Sequence, residues 1–204
     1  MLFSNSYLSI EKPAEGTYRD RGSKFIGFAY PVSKESEIKE IIHYLKKEHT
    51  AANHHCYAYR LGANKQNYRA NDDGEPSGTA GKPILAQIQS KELTNVLVVV
   101  VRYFGGTLLG VTGLINAYKN AAIEALNKAH IIEIHIMYHY KVHFSFERMN
   151  DVMRLLKENN CKIIHQDFLD TYTVVFSVKK NSSEKLEQQL KKFFDITFVF
   201  LTSN

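Results

Sequence analysis

Residues 96–101 form an uninterrupted apolar run, Val-Leu-Val-Val-Val-Val, in which five of the six side chains are β-branched. Arg102 ends the run, Tyr103-Phe104-Gly105-Gly106 breaks it, and a segment of helical period follows from about Leu109. A strand without apolar–polar alternation suits a position covered on both faces, so other layers must lie above and below it. Two adjacent glycines let the backbone take conformations that a side chain forbids, and they leave its amide groups accessible. In the helical segment, Leu109, Thr112, Gly113, Asn116, Ala117, Asn120, Ala121, Glu124 and Ala125 trace one side, and Leu114, Ala117, Tyr118 and Ala121 another. Its many alanines let the helix lie close against a sheet.

The rest of the chain supplies partners for this unit. Residues 6–32 read as two strands, with turn chemistry at Lys12-Pro13-Ala14-Glu15-Gly16 and a polar loop from Arg19 to Lys24. Ser33 can cap a helix reaching Glu48, whose Ile38, Ile41, Ile42 and Leu45 share one face. Residues 54–61 form a strand with His55, Tyr57, Tyr59 and Leu61 on one side and His54, Cys56, Ala58 and Arg60 on the other. Residues 68–71 make a short partner. Residues 71–83, rich in Gly, Pro and acids, form a loop, and Ser77 or Thr79 can cap the helix after it, with Ile84, Leu85, Ile88 and Leu93 inward. Beyond a boundary near 134 the pattern changes. Ile136, Tyr138, Tyr140, Val142, Phe144 and Phe146 alternate with His135, Met137, His139, Lys141, His143 and Ser145, as in a strand with one wet face. A helix over 147–159, strands over 161–169 and 171–179 with a tight turn at Asp170, a helix capped by Ser182 or Ser183, and a last strand over 196–201 complete a βαββαβ order.

Composition narrows the function classes. The chain of 204 residues is 44% hydrophobic, with a net charge of +5 and a pI near 9.0. A mild basic surplus permits nucleic-acid binding. There is no secretory signal pattern and no apolar run near the roughly 20 residues needed to span a bilayer, so a soluble, cytoplasmic protein without a membrane partner is expected. The two cysteines, Cys56 and Cys161, are unpaired in sequence and read as buried thiols rather than as a disulfide or zinc framework.

Few residues carry recognisable chemistry. The Gly105, Gly106 and Gly110 turn can present amides to an anion, yet it lacks the pattern of a dinucleotide or Walker loop and equally suits close helix–sheet packing. Arg102 is the best basic candidate for a phosphate or partner contact, with Lys82 as a second; the alternative for Arg102 is an ion pair with Asp72, Asp73 or Glu75. Those acids, with Ser77 and Thr79, define the loop, where acidic residues beside Gly and Pro form turns more readily than metal sites. His139, Lys141 and His143 would add contacts from an exposed sheet face. With His135, the two histidines are spaced by four, but four residues of strand span roughly 13 Å, too far for one metal. His54 and Cys56 neighbour His55 on alternating faces, and no catalytic motif is present, so no catalytic residue, metal or cofactor is expected.

Asn71-Asp72-Asp73-Gly74-Glu75-Pro76-Ser77-Gly78-Thr79-Ala80-Gly81-Lys82-Pro83-Ile84-Leu85, taken with the run through Arg102-Tyr103-Phe104-Gly105-Gly106-Thr107-Leu108-Leu109-Gly110, resembles the Impact/YigZ family. The segments at 23–30 and 54–62 also match its pattern. The resemblance implies an α+β protein. Residues 1–134 would form a domain like the second domain of a small-subunit ribosomal protein, with a left-handed βαβ crossover. Residues 135–204 would form a ferredoxin-like domain similar to the last domain of elongation factor G. Eukaryotic relatives regulate translation through protein–protein competition but carry a different partner domain. The expected function is therefore a non-enzymatic, translation-linked role with RNA, the ribosome or a protein partner. The alternatives are a hydrolase-like enzyme on a small phosphorylated or peptide-like substrate, or a pure protein-interaction module.

Overall fold

The computed structural model describes residues 5–168 and 171–203 of the chain, which is a mixed α+β protein. Two compact units are present, Tyr7–Ile134 and residues 135–203 together with residues 5–6.

In the first unit the elements are β1 (Ser6–Ile10), β2 (Ala14–Asp20), β3 (Ser23–Pro31), α1 (Glu35–Glu48), β4 (His54–Leu61), β5 (Asn67–Asn71), α2 (Gly81–Ser90), β6 (Val96–Tyr103), α3 (Gly110–Lys128) and β7 (Ile131–His135). β1 pairs with β7, and the other five strands form one antiparallel sheet in the order β2-β3-β6-β4-β5. The valine-rich run is its central strand, and residues 96–101 are fully buried. Val96, Val98 and Val100 enter a core with Phe25, Cys56, Ala58 and residues of α2 and α3. Leu97, Val99 and Val101 enter a second core with Ile38, Leu45, Tyr59 and Leu61. β3 and β4 run parallel to one another on either side of β6, joined by α1. Because side chains alternate, a slip of one residue in β6 would carry Arg102 to the wrong face.

α3 buries Leu114, Ala117, Tyr118, Ala121, Ala122, Ala125 and Leu126. Its close approach has a counterpart in the sheet, where Gly16 of β2 lies opposite Gly27 of β3. A Cβ at Gly16 would stand 2.4 Å from the Ala125 amide nitrogen, and one at Gly27 would stand 2.3 Å from the Ala121 carbonyl oxygen. The paired glycines form the floor on which the alanines rest.

Three expectations for this unit need correction. Residues 6–32 hold three strands, because Gly16 is a packing gap within β2 rather than a turn. Only Arg21 and Gly22, at φ 44° and 80°, reverse the β2–β3 hairpin, the backbone a two-residue hairpin turn requires. Ser33 lies one residue before the Lys34 cap position, and its amide donates to Glu37 Oε2 at 2.7 Å. This bond is the main reason the Glu37 carboxyl is held below its usual range. Finally, neither Ser77 nor Thr79 caps α2. Asp72 does so from across the loop.

The second unit contains β8 (Met137–Phe144), a 3-10 turn (Phe146–Arg148), α4 (Met149–Glu158), β9 (Lys162–Asp167), β10 (Tyr172–Lys179), α5 (Lys180–Leu190) and β11 (Thr197–Ser203). The sheet order is β11-β8-β10-β9, with every pairing antiparallel. Tyr140, Val142, Phe144, Val174, Phe176 and Val178 pack with Val152, Leu156, Leu186 and Leu190. The alternating stretch is interrupted at Ile136, whose carbonyl accepts from the Lys180 amide while its own amide donates to the Asn5 carbonyl. Phe146 leaves the strand and is 71% exposed. α5 begins before either expected serine cap, and Ser183 Oγ donates back to the Lys180 carbonyl. The turn expected at Asp170 lies outside the described residues.

Candidate functional site, an ion-paired floor beneath a glycine turn

The motif loop is organised by its own acids. Asp72 Oδ1 accepts from the amides of Ala80 (3.1 Å) and Gly81 (2.8 Å), and Oδ2 accepts from Gly78 (2.9 Å). The carboxylate thus satisfies amides at the start of α2 that its sequence neighbours leave open. Partial burial pushes the Asp72 carboxyl up, but these amides and nearby Lys82 outweigh it and hold the group below its ordinary range. A folded value below the unfolded value of about 3.9 stabilises above that pH, and the contribution disappears as pH falls through the folded value. The stability difference between wild type and Asp72→Ala should therefore be constant from neutral pH down to about pH 5 and shrink below about pH 4. Thermal melts across that range would show it, and a gap that widens in acid would refute the assignment.

Asp73 anchors the opposite side of the loop. Its Oδ2 accepts from the His55 amide (2.7 Å) and its Oδ1 meets Lys46 Nζ at 3.1 Å. The Asp73 carbonyl lies 2.9 Å from His54 Nδ1. A carbonyl can only accept, so Nδ1 carries a proton in this contact. Asp73 at φ 42° and Gly74 at φ 90° then turn the chain so that Glu75 points inward.

Glu75 and Arg102 meet beneath the loop. Arg102 Nη1 donates to Glu75 Oε1 at 2.6 Å, and the Tyr118 hydroxyl donates to the same oxygen at 2.7 Å. His54 Nε2 is 3.9 Å from it. Glu75 and Arg102 are 9% and 6% exposed, and the guanidinium sits 5.5 Å from the ring centres of both Phe25 and Phe104. Arg102 therefore adopts the ion-pair alternative, with Glu75 as the partner. Its Nε is buried with no hydrogen-bond partner among the described residues. Burial drives the Cys56 thiol and the Tyr118 hydroxyl strongly upward, and the carboxylates around them add to this. Both groups stay protonated at neutral pH. Cys161 in the second unit is pushed up to about 12 by burial.

The glycine turn forms the wall above. The Phe104 amide donates to Asn53 Oδ1 and the Gly105 amide donates to Ser23 Oγ. Gly105 packs on the hairpin turn, where a Cβ would come within 1.9 Å of the Gly22 carbonyl carbon. Gly106 and Gly110, at φ 87° and 70°, have open space where a Cβ would stand, so backbone conformation alone selects glycine there. α3 starts at Gly110 with no capping side chain and no acid in its first turn. A cavity of about 470 Å³ opens between this turn and the floor, lined by His54, Glu75, Arg102, Phe104, Leu108 and Val111 among others.

The expected residues divide accordingly. Glu75, Arg102 and Gly110 line the cavity, with Gly105 and Gly106 in the turn beside it. Asp72 and Asp73 hold the loop, and Thr79 Oγ1 is occupied by the Pro76 carbonyl. Ser77 and Lys82 are exposed. Lys82 lies against Gly78 and does not line the cavity. His139, Lys141 and His143 do not form the freely exposed face expected. They are half-buried, because β8 is flanked by β10 and β11, and His143 Nδ1 lies 2.8 Å from Thr173 Oγ1 while His139 Nε2 is buried. Sequence reasoning missed His54, Tyr118, Phe104, Leu108 and Val111 as parts of the site. Alternation had placed His54 on the face of Cys56, but its meeting with Glu75 depends on strand register. Among the described residues no group of three His, Cys, Asp or Glu could hold a metal ion, and no helix is long and apolar enough to cross a membrane.

The same region carries the similarity to known proteins. The Impact N-terminal domain matches residues 21–126, which include the motif loop, the floor and the glycine turn. IMPACT family member YvyE of Bacillus subtilis is 42% identical over 133 residues, covering 65% of this chain and 61% of that protein. IMPACT family member YigZ of Escherichia coli is 33% identical over 165 residues, 80% of this chain and 81% of that one. Protein IMPACT of Xenopus laevis is 37% identical over 120 residues, 54% of this chain but 38% of that protein. A crystal structure described as that of a hypothetical protein superposes with a TM-score of 0.75 at 28% identity over 98% of both chains. With more than half of its length matched by the Impact domain, and a relative 33% identical over 80% of it, this chain belongs to the IMPACT family.

Proposed function

We propose that the protein is a non-enzymatic, cytoplasmic RNA- or ribosome-associated protein with a translation-linked regulatory role. The observation that carries this reading is the glycine turn over its ion-paired floor. Gly106 and Gly110 hold an uncapped helix start beside exposed Phe104 and the exposed, basic Arg21 of the adjoining hairpin, an arrangement suited to phosphate and base contacts. Arg102, occupied by Glu75, shapes this surface from below, while the exposed Lys82 and Arg21 supply the cationic contacts for phosphate. A net charge of +5 favours such a partner.

The mixed unit with strand order β2-β3-β6-β4-β5 supports the ribosomal-protein type of domain that the resemblance implies for 1–134. The βαββαβ unit with strand order β11-β8-β10-β9 fits a ferredoxin-like domain of the elongation-factor type over 135–204. In the second unit, Lys141 with the half-buried His139 and His143 is at most an auxiliary contact. The protonated Cys56 and Tyr118 weigh against a hydrolase-like site, since neither is an activated nucleophile. One observation favours a protein partner instead, namely that Leu108 and Val111 are 81% and 59% exposed.

Co-sedimentation with ribosomes and with total RNA separates these readings. Association at low salt that falls steeply as salt is raised is expected, and an Arg21→Ala/Lys82→Ala variant should show a shallower salt dependence. No association at low salt would overturn the proposal. Capture of a protein that survives nuclease and high salt would establish the protein-partner reading.

A further inference from the structure

We infer that the cavity between the glycine turn and the Glu75–Arg102 floor captures one unpaired purine base of an RNA strand. This rests on the RNA reading above and specifies how the site would use it. The cavity, at about 470 Å³, lies within the roughly 300–1,000 Å³ range of small-molecule pockets and has an apolar mouth formed by Phe104, Leu108 and Val111. Its floor is polar and incompletely paired. Arg102 is 6% exposed, and its Nε finds no partner among the described residues. Among the described residues, the contacts of the Glu75 carboxylate with Arg102, Tyr118 and His54 fall on Oε1, which leaves Oε2 as an acceptor. His54 lines the same floor, with its Nδ1 proton committed to the Asp73 carbonyl.

An apolar mouth above a carboxylate acceptor suits a flat heterocycle with N–H donors on its edge. Phe104, 45% exposed at the mouth, supplies a stacking face and is itself backed by the Arg102 guanidinium. The charge around the mouth selects a nucleic-acid strand over a neutral peptide. Glu75 is matched by Arg102, and Gly105 abuts the hairpin whose tip carries the exposed Arg21. The uncapped start of α3 lies at Gly110 on the same rim. A strand whose base enters the cavity thus has amide and guanidinium donors beside it for its phosphates. A base held in a duplex cannot enter without leaving its stack, so single-stranded RNA is the substrate class.

Fluorescence anisotropy with a short, labelled uridine strand carrying one central purine tests this directly. Three comparison probes are the strand with an abasic residue at that position, the all-uridine strand, and the purine strand paired to its complement. Loss of the base should weaken binding about tenfold, as base–aromatic stacking contacts do, and the duplex should weaken it likewise. Phe104→Ala and Leu108→Ala, both at exposed positions that the core does not need, should erase the difference between purine and abasic strands. Equal affinity for purine and abasic strands overturns the inference while leaving salt-sensitive RNA association intact. A protein segment filling the cavity would give the same equality together with competition by that segment. Absence of binding to every strand, alongside absence from the ribosome pellet, removes the RNA reading itself.

Discussion

Glu75→Ala is expected to destabilise the Tyr7–Ile134 unit by about 3–5 kcal/mol, the cost of leaving one member of a buried ion pair without its partner. The Glu75 and Arg102 side chains are 4% and 7% exposed, so water cannot solvate the guanidinium that remains. The Tyr118 hydroxyl loses its acceptor in the same step. Removing the charge alone, as Glu75→Gln, should cost less, because the amide oxygen can still accept from Tyr118. Replacing both partners by apolar residues of similar size, Glu75→Leu with Arg102→Met, should recover most of the loss, since such swaps are often neutral. The coupling is best followed through urea dependence of hydrogen exchange at the β6 amides, which reports on this unit alone. A Glu75→Ala variant as stable as wild type would mean that the pair contributes nothing and that its charges are solvated.

Gly27→Ala should cost about 1–3 kcal/mol although it adds a single methyl group. The added carbon would stand 2.3 Å from the Ala121 carbonyl oxygen and 3.2 Å from the Ala125 side chain. The first neighbour is helix backbone and cannot rotate away, so α3 must lift from the sheet. Because α3 also carries Tyr118, that movement would loosen the floor of the site as well as the core. Gly106→Ala offers the contrast. It has no neighbour within 4 Å at the Cβ position but a φ of +87°, so its cost is confined to about 1–2 kcal/mol of backbone strain. Paired chemical denaturation of the two variants distinguishes packing from conformation. Equal effects would argue against close helix–sheet packing as the role of Gly27.

The central strand, the long helix and the order of elements in the second unit are legible because each leaves a periodic signature. Uninterrupted valines require two covered faces, and the alternation over 137–144 matches a strand with one core face. The N-terminal strands were harder to read because Gly16 resembles a turn former when its neighbour in space, Ala125, is unknown. Capping by Asp72 escaped for a related reason. The bonds reach across six to nine residues, whereas a local cap is sought within three. The site itself was half visible. Arg102 and Glu75 stood out as chemistry-bearing residues, and their pairing was one of two readings. Which carboxylate Arg102 meets depends on the turn at Asp73 and Gly74. That Tyr118 and His54 join them depends on helix placement and strand register. The wall of Phe104, Leu108 and Val111 left no sequence signal beyond apolar residues beside glycine, which ordinarily mark a buried contact.

Backbone amide NMR of the whole chain, recorded with and without single-stranded RNA at low salt, tests the placement of the contact most directly. The expected shifts cluster at residues 104–112, at Arg21 and Gly22, and at His54 and Glu75, and they disappear as salt is raised. Shifts confined to residues 139–143 and their neighbours, with the turn and its floor unmoved, would contradict the assignment of the site to the first unit.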